Sequence, residues 1–284
     1  MILITGGTGT IGRPLIDLLV RRGAAVRALT RDAAAANLPE GVEVVEGGPG
    51  EPEAIKRATE GVTTVFLHPR AVGPAGADLL SRAKESGAAR VVALSAINND
   101  DPLDWQPSRM QGDRNKEAED AAVASGLDWI SLRASSFALN TLRAWGAQIK
   151  AGNVVRGPYA AFSEALIDER DVSEACANAL MDHELRNRRI PLTGPESLSH
   201  EEQVAAIGAA IGRPLSYQEV PAEIAEQGMI QRGLPAPFVQ ALMARYARGT
   251  SAAEAVTNEA GKILGRPATS FATWAADHAD AFRG

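Results

Sequence analysis

The sequence is short of cysteine, of long apolar runs and of targeting signals, and each shortage excludes a class of protein. Cys176, its single cysteine, rules out an internal disulfide and fits a reducing compartment. Within "EACANAL" we expect Cys176 to be a small core residue of a helix. No apolar run approaches the roughly 20 residues that span a bilayer. No basic segment followed by an apolar one precedes the first strand pattern, so we expect no signal peptide and a cytoplasmic location.

Positive charge is also scarce. The chain has 29 Lys and Arg against 35 Asp and Glu, a formal net charge of −6. This balance argues against nucleic acid as a partner, because a phosphate backbone requires a basic face. The length of 284 residues suits one large domain, or a nucleotide-binding domain with a smaller appendage. The sequence predicts neither a metal site nor a membrane partner, and it leaves a homodimer open.

The first half alternates short aliphatic runs with helical patterns. "MILIT", "AAVRALTR", "VEVVEG", "TTVFLH", "ARVVALS" and "DWISLR" are typical of strands, and helical segments that end on glycine lie between them. These strands are apolar on both faces, which indicates a parallel sheet covered by helices on each side. We therefore predict an α/β protein with a Rossmann-type, doubly wound parallel sheet.

The pattern changes after about residue 150. "RRIPLTG" and "LSYQEV" are typical of further strands, and the segment from Pro221 onward is mostly helical. Two capping boxes are predicted, Ser199 with Glu202 and Ser251 with Glu254. We expect an NAD(P)-binding domain over residues 1–152 and a smaller, mainly helical substrate or lid region over residues 153–284, partly interleaved with the core.

The first strand leads directly into "TGGTGTIG" and then into a helix. In such a loop, Gly6 allows a tight turn, Gly9 lets the backbone approach a pyrophosphate, and Gly12 packs the helix against the strand. Backbone amides at the start of the helix would point at the phosphates. The alternative is a glycine-rich turn without a ligand. The predicted dinucleotide-binding loop consists of Gly6, Thr8, Gly9, Thr10, Ile11 and Gly12.

The end of the second strand bears on the choice of cofactor. An NAD site usually has an acidic residue there to hold the ribose hydroxyls, but this strand ends in Thr30 and Arg31, and Asp32 comes one residue late. A guanidinium at Arg31 can clamp a 2′-phosphate with paired hydrogen bonds. The sequence therefore favours NADP(H) over NAD(H). A solvated surface arginine is the alternative.

The proton-transfer motif Tyr-x-x-x-Lys is absent. The residues four positions after the three tyrosines are Ser163, Pro221 and Thr250. The spacing of the loop glycines together with "KEAEDAAVASGLDWISLRASSFALN" and "TGPESLSHEEQVAAIGAAIGRPLSY" resembles the NmrA-like family of atypical short-chain dehydrogenase/reductases. Within it, the chain is most similar to NADPH-dependent reductases of quinones, azo dyes and triphenylmethane dyes. The resemblance covers nearly the whole chain.

The chain departs from the family pattern at its proton-transfer positions. The family places a His or Lys four residues before a helix glutamate; with Glu119 as that glutamate, the position is Asn115, and Gln111 stands where a tyrosine would be. Lys116 is one step out of register, with an i,i+3 pairing to Glu119 as its alternative role. Gly48 replaces an Asp that contacts adenine. The resemblance thus implies direct hydride transfer with protons from solvent or from the substrate, and Asn115, Lys116 and His68 remain weak catalytic candidates.

Ligands of open α/β sheets bind beyond the carboxyl ends of the strands. Three residues that follow strands, His68, Ser95 and Ser135, are therefore assigned to the cofactor, although His68 also fits an ordinary loop position. Flat or polar side chains in later loops suit an aromatic substrate; each aromatic alone also fits a core position. The predicted substrate-pocket residues are Trp105, Phe137, Asn140 and Tyr159.

Three functions compete. The leading hypothesis is an NADPH-dependent reductase of a quinone-like, aromatic or polyketide-like small molecule. A non-catalytic NAD(P)-binding regulator that senses redox state is the main rival, favoured by the missing Tyr and Lys. The third is a natural-product tailoring enzyme whose cofactor is recycled internally.

Overall fold

The computed structural model describes residues 1–283. Its residues group into two compact units, each assembled from separate stretches of chain. The first unit consists of Met1–Asp100, Gly112–Ala134 and Arg170–Pro191. The second consists of Asp101–Gln111, Ser135–Glu169 and the chain from Leu192 onward. The domain boundary expected at residue 152 falls within the second unit.

A seven-stranded sheet forms the centre of the first unit, with the strand order β3-β2-β1-β4-β5-β6-β9. The strands from β1 to β6 pair in parallel with their neighbours. This arrangement confirms the predicted doubly wound α/β fold. The bounds of its strands are β1 Ile2–Thr5, β2 Val26–Thr30, β3 Glu43–Glu46, β4 Thr64–Leu67, β5 Arg90–Ala96, β6 Asp128–Ala134 and β9 Arg188–Leu192.

The central strands β1 and β4 are buried along their whole length, as their continuous apolar sequences require. Leu3, Val65 and Val91 are fully buried at the centre of a core that also takes in the inner faces of the helices. The sheet order changes direction between β1 and β4, and such switch points are where open α/β sheets bind ligands. The helices associated with this sheet are α1 Gly12–Arg21, α2 Pro52–Thr59, α3 Pro69–Val72, α4 Gly76–Glu85, α6 Asn115–Ala124 and α8 Glu169–Met181.

One buried arginine, Arg90, binds the carbonyl oxygens at the C-terminal end of α8. The guanidinium of Arg90, on β5, donates to the carbonyl oxygens of Ala179, Asp182 and Leu185 at 2.8, 2.5 and 2.6 Å. These carbonyls lie at the end of the helix and just beyond it, where the last turn leaves acceptors without a helical partner. Arg90 thereby fixes the returning segment of chain to the sheet.

The second unit is mainly helical and has two small sheets, a parallel pair of β7 with β11 and an antiparallel pair of β8 with β10. Its core is built around Trp145, Trp274 and Phe282. Along residues 1–283, no helix combines the length and apolar character that a membrane crossing requires. The bounds of its elements are α5 Pro107–Met110, α7 Asn140–Ala151, β7 Val154–Gly157, β8 Ser163–Glu164, β10 Leu198–Ser199, α9 His200–Ile211, β11 Ser216–Glu219, α10 Ala222–Gln231, α11 Ala236–Gly249, α12 Glu259–Leu264, α13 Phe271–Asp277 and α14 Ala279–Phe282.

The two predicted capping boxes have different outcomes. At the start of α9 the Ser199 hydroxyl accepts from the Glu202 amide, and the Glu202 carboxylate accepts from the Ser199 amide, so this box is confirmed. The Ser251 prediction is wrong, because no helix begins there and α12 starts only at Glu259. The Glu254 carboxylate instead accepts from the Ala165 amide at 2.7 Å.

Candidate functional site

The loop after β1 is shaped by its glycines. Gly6 has a φ of 70°, and its carbonyl oxygen accepts from the Gly9 amide at 3.1 Å. A Cβ on Gly12 would lie 2.1 Å from that same oxygen, so only glycine allows α1 to start this close to the loop. Among residues 1–283, no side chain caps the first turn of α1. Its amides therefore lie beside a loop that is exposed at Thr8, Gly9 and Thr10.

Thr5 joins this loop to the end of β4. Its hydroxyl donates to the carbonyl oxygen of Phe66 at 2.9 Å and accepts from the His68 amide at 2.8 Å. The His68 side chain lies against Gly6, where a Cβ would come within 3.0 Å of the imidazole Cγ. The glycine loop and the residue after β4 thus form one packed unit.

Two buried polar atoms lie at the carboxyl ends of neighbouring strands. Neither the Nδ1 of His68 nor the Oγ of Ser95 has a hydrogen-bond partner among the described residues. Burial lowers the pKa of His68, with Asp113 acting against it and Arg70 with it, so the imidazole is neutral near pH 7. An orphaned buried polar atom is costly unless a ligand or water completes it. The pair therefore makes this edge of the sheet a candidate ligand site.

A cleft of about 250 Å³ opens beside the loop. Arg31 lies on the rim of this cleft, directly after β2. Arg27, within β2, binds other groups: its Nε donates to the Glu43 carboxylate at 2.6 Å and its Nη1 donates to the Ala58 carbonyl at 3.0 Å. The Asp32 carboxylate accepts from the Ala35 amide at 2.9 Å and so stabilises the turn. The cleft is lined by Thr5, Gly6, Gly7, Thr8, Leu29, Thr30, Arg31, Asp32, Ala35, Ala36, Gly47, Pro49 and Ala71.

Gly48 lies next to this lining, at the position where the sequence departs from the family pattern. Its amide donates to the Glu51 carboxylate at 3.0 Å. A Cβ at this position would meet that carboxylate at 3.2 Å, so the Glu51 side chain would have to move to admit a larger residue.

The helix expected to carry the proton-transfer positions is interrupted. Gln111 follows α5, and Gly112, with a φ of 100°, separates it from α6, which begins at Asn115. Gln111 and Asn115 therefore do not lie one turn apart on one helix. Asn115 is buried, whereas the side chain of Lys116 is 44% exposed and pairs with Asp120 at 3.1 Å. The alternative pairing of Lys116 with Glu119 is wrong.

The carboxylate of Glu119 is bound by three neighbouring side chains and has a structural role. Its carboxylate accepts from Arg133 at 2.6 and 2.9 Å, from Arg189 at 2.7 Å and from the Ser131 hydroxyl at 2.5 Å. Burial acts to raise the pKa of Glu119, but these hydrogen bonds overcome it and lower the pKa to about 2. The carboxylate is therefore ionised and fully used by its partners.

The remaining predicted residues lie in the second unit. The Ser135 hydroxyl donates to the Ala165 carbonyl at 2.5 Å, and Phe137 pairs with Ile167 in an isolated bridge. Asn140 begins α7. The ring of Trp105, 40% exposed, lies 4.1 Å below the Arg248 guanidinium.

Tyr159 belongs to an aromatic group that sequence reasoning missed. Its ring packs edge-on against Tyr246, which in turn contacts Phe162 and His200 with ring centroids 4.6 and 4.8 Å apart. Burial lowers the pKa of His200 against an opposing effect of Glu164, so this imidazole is neutral near pH 7. His200 and Tyr246 lie on helices whose apolar pattern gave no sign of this contact, since it depends on tertiary packing.

The family comparison covers most of the chain. The sequence model of the NmrA-like family matches residues 1–255. Among curated proteins, the (4-alkanoyl-5-oxo-2,5-dihydrofuran-3-yl)methyl phosphate reductase of Streptomyces griseus is 33% identical over 287 residues, with 99% of each chain covered. The NAD(P)H azoreductase of Xenophilus azovorans is 33% identical over 289 residues, again with 99% of each covered.

Solved structures share the fold. The NADPH-dependent quinone oxidoreductase of Escherichia coli, crystallised with NADPH, has a TM-score of 0.82 at 23% identity, covering 98% of this chain and 99% of its own. The Citrobacter triphenylmethane reductase, crystallised with NADP(H), has a TM-score of 0.81 at 18% identity and covers 98% of this chain and 99% of its own. At these identities the match concerns the fold alone.

Proposed function

Because the chain belongs to the NmrA-like family, we propose that it is an NAD(P)H-dependent reductase that transfers hydride to a quinone-like or other planar conjugated acceptor. One observation carries the proposal. The glycine loop packs against the start of α1 at the switch point of the sheet. At the neighbouring strand ends, the buried Nδ1 of His68 and Oγ of Ser95 have no hydrogen-bond partner among residues 1–283.

The residues present fit a dinucleotide. The loop from Gly6 to Gly12 gives exposed backbone at the start of α1 for a diphosphate. The orphaned Nδ1 of His68 and Oγ of Ser95 are suited to hydroxyl or amide groups of the same molecule. When bound, the reduced nicotinamide would supply the hydride.

NADPH is the proposed form of the cofactor. Arg31 is exposed on the rim of the cleft, while Arg27 is held by Glu43 and by backbone carbonyls. The Asp32 carboxylate, which would disfavour a 2′-phosphate, is turned to the Ala35 amide. A guanidinium in this position suits a phosphate dianion, with which it forms paired hydrogen bonds.

The relatives and the missing proton-transfer pair support the proposed acceptor class. An azo dye, a quinone and an acyl-dihydrofuranone share a conjugated system that accepts hydride. Neither Gln111 nor Asn115 offers a titrating group. We propose that the proton comes from solvent or from the substrate itself, as suits acceptors whose reduced forms protonate readily in water.

Steady-state oxidation of NADPH with a panel of quinones, azo dyes and conjugated ketones tests this function. The expected result is turnover with at least one class, and a higher kcat/KM with NADPH than with NADH. Cofactor binding without turnover on any acceptor would refute the reductase and leave the regulator as the explanation.

A further inference from the structure

Tyr159 has a backbone conformation that bulky residues rarely adopt. Its φ of 51° lies in the left-handed region, which glycine enters freely and which strains larger residues. Within residues 1–283, the other non-glycine residues with positive φ are Asn37 and Asn187, whose short polar side chains tolerate this region. Such strain persists only where the surrounding structure enforces it, and it is concentrated at functional sites.

Hydrogen bonds on both sides of Tyr159 enforce the conformation. The preceding carbonyl, of Pro158, accepts from the Tyr217 hydroxyl at 2.7 Å and from the Nδ1 of His200 at 3.3 Å. The following amide, of Ala160, donates to the Glu219 carboxylate at 3.0 Å. The carbonyl of Tyr159 itself accepts from the Phe162 amide at 3.0 Å. The turn is therefore held from several elements at once.

The strained conformation of Tyr159 positions its aromatic ring against that of Tyr246. The Tyr159 ring lies 6.4 Å from that of Tyr246, at an interplanar angle of 66°. Both side chains are partly exposed. Behind Tyr246 lie Phe162 and the buried His200, which support it from the inside. Tyr159 and Tyr246 are thus the outer members of the aromatic group.

The neighbouring charges indicate what this surface accepts. Arg245, next to Tyr246, donates to Glu164 at 3.0 Å and to the Ser136 hydroxyl at 2.8 Å, and lies 3.6 Å from Glu254. Two carboxylates surround the guanidinium of Arg245, so the positive charge of this side chain is already balanced. A neutral planar ring, which packs edge-to-face or offset on aromatic side chains, fits better.

We propose that Tyr159 and Tyr246 form a specificity-determining wall for the planar ring of a neutral acceptor, and that the protein keeps Tyr159 in a strained conformation for this purpose. The inference rests on the proposed function, because the acceptor is the substrate of that reductase. Removal of the ring at position 159 should therefore weaken acceptor binding without weakening the fold.

The test compares Tyr159→Gly with Tyr159→Phe, and uses Asn187→Gly as the control for relief of a positive φ away from the wall. Equilibrium binding of menadione is measured by calorimetry, and Tm by thermal unfolding. For Tyr159→Gly we expect the Kd for menadione to rise about tenfold while Tm is unchanged or higher. Tyr159→Phe and Asn187→Gly should retain the wild-type Kd.

A lower Tm together with an unchanged Kd for Tyr159→Gly would overturn the proposal, as it would show a packing residue. Absence of menadione binding to the wild type would overturn it too. The binding measurement needs no turnover, so failure of the wall can be distinguished from failure of the reductase. If menadione binds at the wall but no acceptor oxidises NADPH, the reductase fails while the wall stands.

Discussion

At position 12 a Cβ atom would lie 2.1 Å from the Gly6 carbonyl oxygen, whereas at position 9 it would lie 3.4 Å from the same atom. The first distance excludes any side chain, and the second is ordinary van der Waals contact. Glycine at position 12 is therefore required by the fold. Glycine at position 9 has no such structural requirement, and we propose that it lets a ligand approach the backbone.

Alanine at these two positions separates the fold from the cofactor site. Gly12→Ala should lower the free energy of unfolding by about 2 kcal/mol or more, because backbone must move to admit the methyl group. Gly9→Ala should unfold like the wild type but bind NADPH at least about tenfold more weakly, the loss of roughly one good contact. Urea unfolding and calorimetric titration of NADPH measure the two effects. Wild-type affinity in Gly9→Ala would contradict the role of the loop.

Arg31 determines the predicted cofactor preference. Arg31→Ala should weaken NADPH binding by about 1.5–3 kcal/mol, the range for a charge-assisted hydrogen bond, and leave NADH nearly unchanged. Dissociation constants for both cofactors measure this. The matched control is Arg21→Ala, which removes an exposed arginine from the far end of α1. Equal losses for NADPH and NADH would count against a contact with the 2′-phosphate.

Individual side-chain partners were predicted less well than positions in the chain. The glycine loop and Arg31 could be located because strand and helix patterns define their places. The pairing of Lys116 could not be located in this way, because Glu119 is drawn to Arg133 and Arg189 from distant segments. That contact leaves Asp120 as the partner on the helix surface.

Among the elements, strands with continuous apolar sequence were the most predictable, since burial on both faces leaves few alternatives to a central parallel strand. A predicted helix start formed only where no other group bound the side chain that would cap it. At Ser199 the local capping box forms, but near Ser251 the Glu254 carboxylate is taken by Arg245 and the Ala165 amide. A sequence pattern cannot show such a distant competitor.

The two serines provide a matched pair of variants. Ser199→Ala should lower the free energy of unfolding by about 1 kcal/mol, the usual loss of an N-cap. Ser251→Ala should change it by less than about 0.5 kcal/mol, because Ser251 bonds only the exposed Arg248 carbonyl. Urea unfolding of both variants measures the two changes in the free energy of unfolding. Equal effects would show that the box at α9 contributes nothing.

Several ionisable groups of the molecule have a lower pKa in the native state than in the unfolded state. Burial lowers the pKa of His68 and His200 from the ordinary value of 6.5. Near them, Asp113 and Arg70 act on His68, and Glu164 and Arg245 act on His200. Because the unfolded state binds more protons than the native state in acid, stability falls as the pH drops below 6.5. Glu119, with a pKa of about 2, adds a further loss below its ordinary value of 4.5.

We therefore expect the free energy of unfolding to decrease from neutral pH into mild acid. Each buried histidine contributes up to about 1.4 kcal/mol per pH unit while only its unfolded form is protonated. His68→Gln should make the dependence shallower, because it removes one of the two imidazoles whose native pKa is lowered. Urea unfolding across this range tests the expectation. A flat profile for the wild type would contradict the neutral state of both imidazoles.

The division of the molecule could be outlined only in part from the sequence. Alternating patterns indicated the nucleotide-binding fold, but the return of Arg170–Pro191 to the first unit depends on contacts such as that of Arg90 with the end of α8. The loops of the second unit were visible as candidate aromatic positions. Their arrangement around Tyr246 was not, because it arises from packing between segments far apart in sequence.

The central claim, that this chain is a reductase and not only a cofactor-binding protein, is tested most directly by a single turnover. The enzyme is mixed anaerobically with an equal amount of NADPH and with menadione, and both redox partners are followed. We predict one hydroquinone formed for each NADPH oxidised, and a slower reaction when the transferred hydrogen of NADPH is deuterium. Bound NADPH that remains reduced beside a bound quinone would contradict the account.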